Sequence, residues 1–301
     1  MTPLWGIDLG GTKIEGVVIK SADNPQALSR MRIPTEAENG YSHILNRIAL
    51  LVEKMSTEIG ERASHIGIGT PGIVDPGTGT VKNSNTGCLI GKPLPRDLRQ
   101  RLDIPLTFEN DANCFVLAET RFGCIKNQVP DASVIFGVIM GTGVGGGLIV
   151  NDTVVRGKHA IGGEWGHNFL DESGGECYCG KVGCVETVIS GSALEKYHSD
   201  RTGEEKSLRE IAKEARDGSD VMAKDTIERL THYFGKAIAG VINIVDPDAI
   251  VLGGGVGNIP ELYTDGIRET KKHVFNHSLD TPFLRPELGD SAGVFGAAIL
   301  R

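Results

Sequence analysis

The stretch GIDLGGTKIEGVVI (residues 6–19) has a counterpart without gaps in GVIMGTGVGGGLIV (residues 137–150). In both, apolar residues stand on either side of a glycine-rich turn that carries a threonine, which predicts a strand, a tight turn and a second strand. Backbone N–H groups in such a turn can approach a phosphate because glycine has no side chain. The repeat therefore indicates two similar domains, each with a phosphate-binding hairpin.

The first turn contains Gly10 and Gly11, followed by Thr12 and Lys13, which add a hydroxyl and a positive charge. The segment lacks the G-x-x-x-x-G-K-[ST] spacing and no helix is predicted after it, so P-loop geometry does not apply. A plain hairpin turn without a ligand is the alternative, since Gly-Gly is common in such turns.

The second turn matches the dinucleotide pattern G-x-G-x-x-G at Gly141, Gly143 and Gly146. The residues that follow, LIVNDTVV, predict a strand, whereas the dinucleotide fold places the pyrophosphate at the N-terminus of a helix. The pattern therefore favours a second hairpin over a dinucleotide site.

A cysteine-rich loop, GEWGHNFLDESGGECYCGKVGCVE (residues 163–186), follows the second hairpin. His167, Cys177, Cys179 and Cys184 have the spacing H-x9-C-x-C-x4-C, and one imidazole with three thiolates completes a closed tetrahedral zinc site. A redox dithiol or three unrelated core cysteines are the alternatives, but C-x-C is not the C-x-x-C of thiol oxidoreductases. Such a zinc ion is structural, and it would hold the loop rigid.

Residues 104–123, IPLTFENDANCFVLAETRFG, predict a strand, an acidic turn and a helix. Asn110 and Asp111 fall where the strand meets the helix, whose N-terminal partial charge favours an ionised carboxylate. A fixed carboxylate there can act as a general base, but Asp and Asn are also common helix N-caps. Position alone favours the N-cap over the base.

Composition describes an ordinary globular protein of 301 residues with a formal net charge of −8. This acidic balance argues against a nucleic-acid surface, which needs a basic face. There is no run of about 18 apolar residues and no charged leader, so we expect no membrane association. Six cysteines in a chain of this length fit a reducing compartment, and we expect a cytoplasmic protein.

The remaining pattern combines helices and strands without a linker or a low-complexity segment. Apolar residues at helical spacing predict an amphipathic helix over residues 40–60. Other predicted elements are a strand and turn (65–75), a hairpin (75–85), two helices (207–218 and 220–245), a buried strand with a glycine turn (246–258) and a small-residue helix (289–300).

Seven motifs occur in the order known from the ROK family of sugar kinases (repressor, open reading frame, kinase). They are DLGGTK, TPG, ENDAN, GTGVGGG, GEWGH, C-x-C-x4-C-x-E and DPD-x-IVLGGG. The chain resembles this family over almost its whole length. The NI-x-DPD-x-IVLGGG segment looks most like the bacterial fructokinase (manno-fructokinase) branch, with the N-acetylglucosamine kinase branch next.

The resemblance implies an α/β protein with the actin-like ATPase (ribonuclease H-like) fold: two similar domains, a cleft between them, and a zinc-stapled loop. The expected domains are residues 1–118 with 288–301, and residues 119–287, which carry the zinc loop. The internal repeat, found independently, agrees with two such domains.

The resemblance also implies roles for individual residues. Asp111 would be the general base that takes the proton of the 6-hydroxyl, and His167 would serve both zinc and sugar through its two ring nitrogens. Asp8 would hold magnesium through water. The sugar would contact Gly72, Asn110, Asp111, Glu164, His167 and Glu186. The nucleotide would lie against Asp8, Gly10, Gly11, Thr12, Lys13, Gly141, Thr142, Gly143, Gly253, Gly254 and Gly255.

The implied function is transfer of the γ-phosphate of ATP to the 6-hydroxyl of a hexose, with Mg²⁺ and a structural Zn²⁺. Fructose is the first expectation, with mannose or glucose next, and N-acetylglucosamine is the alternative. The family also contains transcriptional repressors with an N-terminal helix-turn-helix, for which no room is expected before the strand at Leu4. A sugar sensor without catalysis is a further alternative, and analogy suggests a homodimer.

Overall fold

Each of the two glycine-rich repeats forms an antiparallel hairpin that begins a sheet of mixed strand direction. In the computed structural model, which describes residues 2–301, the first hairpin pairs β1 (Leu4–Leu9) with β2 (Lys13–Ile19). The second hairpin pairs β8 (Val134–Met140) with β9 (Val144–Val150). The strand, turn and strand predicted for both repeats are confirmed.

The chain divides into two units. The first contains residues 2–128, 152–162 and 287–301, and the second contains residues 129–151 and 163–286. The sequence-based division at residues 118 and 287 stays a prediction. It places residues 119–128 and 152–162 in the second domain, and its first limit falls inside a helix, α3 (Asp111–Phe122).

The first unit is an α/β arrangement around one five-stranded sheet. Its other elements are β3 (Ala27–Pro34), α1 (Tyr41–Ile59), β4 (Ile66–Thr70), β5 (Ile73–Val74), β6 (Val81–Lys82), α2 (Leu94–Leu102), β7 (Leu106–Asn110), α4 (Cys124–Gln128), β10 (Thr153–Val154) and α11 (Ala292–Ala298). The strand order is β3-β2-β1-β4-β7, in which β4 and β7 run parallel to β1.

Helices cover both faces of this sheet because successive strand residues point to opposite sides. Gly16 on β2 lies against Met55 of α1, whereas Gly6 on β1 lies against Val294 of α11. The apolar face of α1 joins β1, β2 and β4 in one buried cluster. The predicted amphipathic helix is therefore confirmed, and it packs on the sheet.

The second unit repeats the arrangement of the first. Its other elements are α5 (Val185–Ile189), α6 (Gly191–Thr202), α7 (Leu208–Asp217), α8 (Val221–Val245), β11 (Ala249–Gly253), α9 (Gly254–Gly257), α10 (Asp265–Lys271) and β12 (Phe283–Leu284). Beside the hairpin, β11 runs parallel to β8 and β12 runs parallel to β11. Each unit thus continues a glycine hairpin with two parallel strands.

The core of the second unit forms between this sheet and α8. Phe234 and Ile238 on α8 are buried in one cluster with Ile250 and Leu252 of β11. The two predicted helices at 207–218 and 220–245 are confirmed as α7 and α8. Within residues 2–301, none of the helices combines the length and the apolar character needed to cross a bilayer.

Two glycines of α8 give a matched test of this packing. A Cβ at Gly235 would lie 2.5 Å from the Glu269 Cβ and 2.7 Å from the backbone nitrogen of Thr270, both on α10. Gly240 is exposed and has no atom within 4 Å of such a Cβ. We expect Gly235→Ala to lower the free energy of unfolding by about 1–3 kcal/mol because α10 must shift. Gly240→Ala should raise it by about 0.5–1 kcal/mol through helix propensity.

Urea denaturation of both variants measures these changes. Equal effects of the two substitutions would contradict the close packing of α8 on α10.

Candidate active site

A backbone turn with exposed amides joins β1 to β2 in the first unit. The Gly10 N–H donates to the Lys13 carbonyl at 2.9 Å, which closes the turn. Thr35, a fully buried residue directly after β3, supports the turn: its hydroxyl donates to the Gly10 carbonyl at 2.7 Å, and its N–H donates to the Thr12 carbonyl at 2.9 Å. Gly11 and Thr12 remain exposed, so the turn is rigid and open to a ligand.

Carboxylates gather at the end of β1. Burial and the negative charges of Asp111 and Glu15 together raise the pKa of Asp8 to about 7, against the opposing charges of Lys13 and Arg32. Asp8 and Asp111 therefore lie close enough to repel each other. A site of this charge fits a hard cation with oxygen ligands, which agrees with the magnesium role predicted for Asp8.

The junction of β7 and α3 shows which residue of the acidic turn caps the helix. The Asn110 side chain is the N-cap of α3 and accepts from the Ala112 N–H at 2.9 Å. Asp111 is the first residue of the helix, and its Oδ1 accepts from the same N–H at 2.8 Å. The amide of Asn110 also donates to the Gly72 carbonyl at 3.2 Å. The structure thus joins three of the predicted sugar-binding residues, Gly72, Asn110 and Asp111.

Glu109 also stabilises this turn, a role that was not predicted from the sequence. It is buried, and its Oε1 accepts from the Asn110 N–H at 2.9 Å and from the Asn113 amide at 3.0 Å. Its Oε2 pairs with the Arg156 guanidinium. The ENDAN motif contains Glu109, but a partner 47 positions away along the chain leaves no local signal.

The four predicted metal ligands converge in the second unit. One ligand atom from each of His167, Cys177, Cys179 and Cys184 lies within 4.8 Å of all the others. The Cys179 and Cys184 sulfurs are 3.6 Å apart, and the Cys177 sulfur is 3.6 Å from the His167 Nδ1. A tetrahedral zinc ion with Zn–S bonds of about 2.3 Å separates its sulfurs by roughly 3.8 Å. The donor set and its spacing therefore fit zinc.

The loop backbone brings these ligands together by folding back on itself. The Cys177 N–H donates to the Lys181 carbonyl at 2.8 Å, and the Gly180 N–H donates to the Cys177 carbonyl at 2.9 Å. Gly180 has a φ of 85°, which a glycine adopts without strain. The tight turn that results presents Cys177 and Cys179 from the same end of the loop.

Two carboxylates, Glu164 and Glu186, and the ring of Tyr178 lie close to the candidate metal ligand His167. Burial and the charge of Glu186 raise the pKa of Glu164, while His167 opposes the shift. Glu186 also reaches the second hairpin, where its Oε2 accepts from the Val144 N–H at 2.9 Å. The predicted group of Glu164, His167 and Glu186 is thus brought together, and Tyr178, which was not predicted, joins it through His167.

The second hairpin opens onto a cavity of about 580 Å³. Gly141, Thr142 and Gly255 line it, whereas Gly143, Gly253 and Gly254, also predicted to contact the nucleotide, are not among its lining residues. The Gly191 N–H donates to the Gly141 carbonyl at 2.7 Å, which fixes the turn against α6. The cavity walls are completed by Ser192, Glu195, Ser207, Leu208, Arg209, Ala212, Arg216, Val256, Asn258, Ile259 and Pro260.

Comparison with known proteins shows the family of this chain. The model of the ROK family matches residues 4–301. The chain belongs to the ROK family. It is 32% identical over 306 residues to the N-acetyl-D-glucosamine kinase of Aliivibrio salmonicida, with 98% of each chain covered.

Solved ROK structures share the fold. The ROK hexokinase of Thermus thermophilus superimposes with a TM-score of 0.86 at 32% identity, covering 99% of this chain and 97% of that one. A ROK family glucokinase from Streptomyces griseus, solved with glucose and AMPPNP, gives 0.79 at 30% identity, with 98% of each chain covered. The predicted actin-like ATPase fold is therefore confirmed.

These similarities also decide part of the functional prediction. The expected class of enzyme, an ATP-dependent sugar kinase, is confirmed for this ROK protein. The comparisons give the fructokinase branch no specific support, and the curated relatives bear the name of the branch that the sequence placed second.

The zinc fit leads to a test by substitution. Cys177→Ser removes one thiolate from the cluster, so we expect bound zinc to fall from about one ion per chain to a small fraction of that, because a closed site needs all four ligands. Elemental analysis after dialysis against a weak chelator measures the content. Cys88→Ser, which alters a half-buried thiol outside the cluster, should leave the zinc content unchanged. A wild-type protein without zinc would contradict the assignment.

Proposed function

We propose that this chain transfers the γ-phosphoryl group of ATP to the 6-hydroxyl of a hexose, with N-acetylglucosamine as the first candidate acceptor. The position of Asp111, at the first turn of α3 and beside the hydrogen bond from Asn110 to Gly72, carries the proposal. The names of the curated relatives support N-acetylglucosamine over fructose.

Asp111 acts as the general base. Its carboxylate takes the proton of the 6-hydroxyl as the sugar oxygen attacks the γ-phosphorus, and the bond to the bridging oxygen of ATP breaks, so ADP leaves with its electron pair. The N-terminus of α3 favours negative charge on this carboxylate. Phosphoryl transfer needs little covalent help, so the main task of the protein is to aim this hydroxyl.

The second unit supplies hydrogen-bonding groups for the sugar. Glu164 and Glu186 accept from sugar hydroxyls, and His167 faces the sugar with the side of its ring that does not face the thiols. His167 and the three cysteines would hold zinc, which would keep these groups in place and supply no chemistry to the reaction. The cavity lined by Gly141, Thr142 and Gly255 receives the nucleoside of ATP.

Magnesium, when bound, neutralises the phosphate charge. Asp8 would hold the magnesium ion, because its carboxylate lies close to the negative charges of Asp111 and Glu15. The exposed N–H groups of the turn after β1 then contact the phosphate oxygens, as in other glycine-rich anion sites.

Purified protein with ATP, magnesium and a panel of hexoses tests the assignment. We expect the largest kcat/KM with N-acetylglucosamine, measured by coupling ADP release to NADH oxidation against glucose, mannose and fructose. A preference for fructose would restore the first sequence-based expectation. Sugar binding without any phosphate transfer would show a sensor and contradict the proposal.

A substitution at the base gives a second test. Asp111→Asn keeps the size of the side chain and removes its basicity, so kcat should fall by about 10²- to 10⁴-fold. Hexose affinity, measured by calorimetry, should change only a few-fold. Asp103→Asn is the control, because Asp103 is an exposed acid of the same unit. Near-normal turnover of Asp111→Asn would remove Asp111 as the base.

A further inference from the structure

Tyr178 occupies an unusual place at the tip of the metal loop. It stands between the ligands Cys177 and Cys179, and 72% of its surface is exposed. Its ring lies edge-to-face on the His167 imidazole, with centroids 5.1 Å apart and an interplanar angle of 89°. Because so much of the ring is exposed, Tyr178 contributes little to any buried core.

The hydroxyl of Tyr178 lies 2.9 Å from the His167 Nε2. The Nδ1 of the same ring is the nitrogen that faces the Cys177 sulfur, so Nδ1 is the metal-facing atom. A neutral imidazole with a metal on Nδ1 carries its proton on Nε2. The Nε2–H therefore donates to the Tyr178 oxygen, which leaves the hydroxyl proton available for a different acceptor.

Two carboxylates lie near this hydroxyl. Glu186 and Glu164 are close enough for their charges to act on the Tyr178 phenol. A tyrosine hydroxyl, with an ordinary pKa of about 10, is protonated at neutral pH and can donate. Glu164, Glu186 and His167 are the groups that the proposed function places around the sugar, so the donor of Tyr178 lies among them.

We infer that Tyr178 is a specificity-determining residue of the hexose site, whose hydroxyl donates to an oxygen of the bound sugar while its ring limits the space beside His167. This inference rests on the proposed hexose kinase function and adds one residue, Tyr178, to the groups that bind the sugar. A tyrosine that merely orients His167 for the metal is the competing explanation.

Three variants separate these explanations. Tyr178→Phe removes the hydroxyl and keeps the ring, and Tyr178→Ala removes both. Tyr197→Phe is the chemical control, since its hydroxyl donates to Asp225 at 2.7 Å elsewhere in the same unit. Each protein is assayed for zinc content, for KM of ATP, for kcat and KM of glucose, fructose, mannose and N-acetylglucosamine, and for sugar binding by calorimetry without ATP.

We expect Tyr178→Phe to raise the KM and the dissociation constant of the preferred hexose about three- to tenfold, the effect of one lost hydrogen bond. The KM of ATP and the zinc content should not change. Tyr178→Ala should change the ratio of kcat/KM between N-acetylglucosamine and glucose by about tenfold, because the space beside the sugar widens. Tyr197→Phe should match the wild type.

The outcomes are distinct. Loss of zinc from Tyr178→Phe would overturn the inference in favour of a role in orienting the metal ligand. Wild-type hexose kinetics in both Tyr178 variants would overturn it while the proposed function stands. A wild-type protein that phosphorylates no hexose would overturn the proposed function, and this inference with it.

Discussion

Convergence of one imidazole and three thiols within 4.8 Å is the constraint on which the second unit depends. Cys184, one of the four, is also the N-cap of α5, and that helix carries Glu186 to the Val144 N–H of the second hairpin. A metal ion bound at Cys184 would therefore fix the Glu186 carboxylate at the turn of the second hairpin. Structural zinc in such a loop acts on catalysis only through position, which is the main requirement of phosphoryl transfer.

The two hairpins close their turns differently and have different support, with the Gly10 N–H donating to the Lys13 carbonyl in the first and the Gly141 N–H to the Gly143 carbonyl in the second. In the first, Thr35, which directly follows β3, holds the turn, and Gly11 is exposed. In the second, Glu186 lies so close that a Cβ at Gly143 would be 2.5 Å from its Oε2. The first turn is thus open to phosphate, and the second combines an exposed turn with a carboxylate. An internal repeat has diverged into two turns with different chemistry.

Sequence predicted the parts of this site whose signal is local. Spacing alone identified the four residues that converge as candidate metal ligands, and strand and turn patterns placed Asp111 next to the helix N-cap Asn110. Thr35 and Glu109 escaped because their partners lie 25 and 47 positions away along the chain. Contacts of that range arise from the fold as a whole and leave no periodic pattern to detect. Tyr178 escaped because only the folded loop places it on His167.

The same reasoning explains why the sequence alone does not identify the preferred hexose. A carboxylate accepts from any sugar hydroxyl, so Glu164 and Glu186 specify a polyol rather than one sugar. Discrimination between hexoses requires a group whose partner exists in one sugar and is missing in another, because an unpaired buried group is costly. Among the side chains gathered at His167, the hydroxyl of Tyr178 is a neutral donor beside two acceptors. We therefore expect the choice between hexoses to depend on Tyr178 rather than on Glu164 and Glu186.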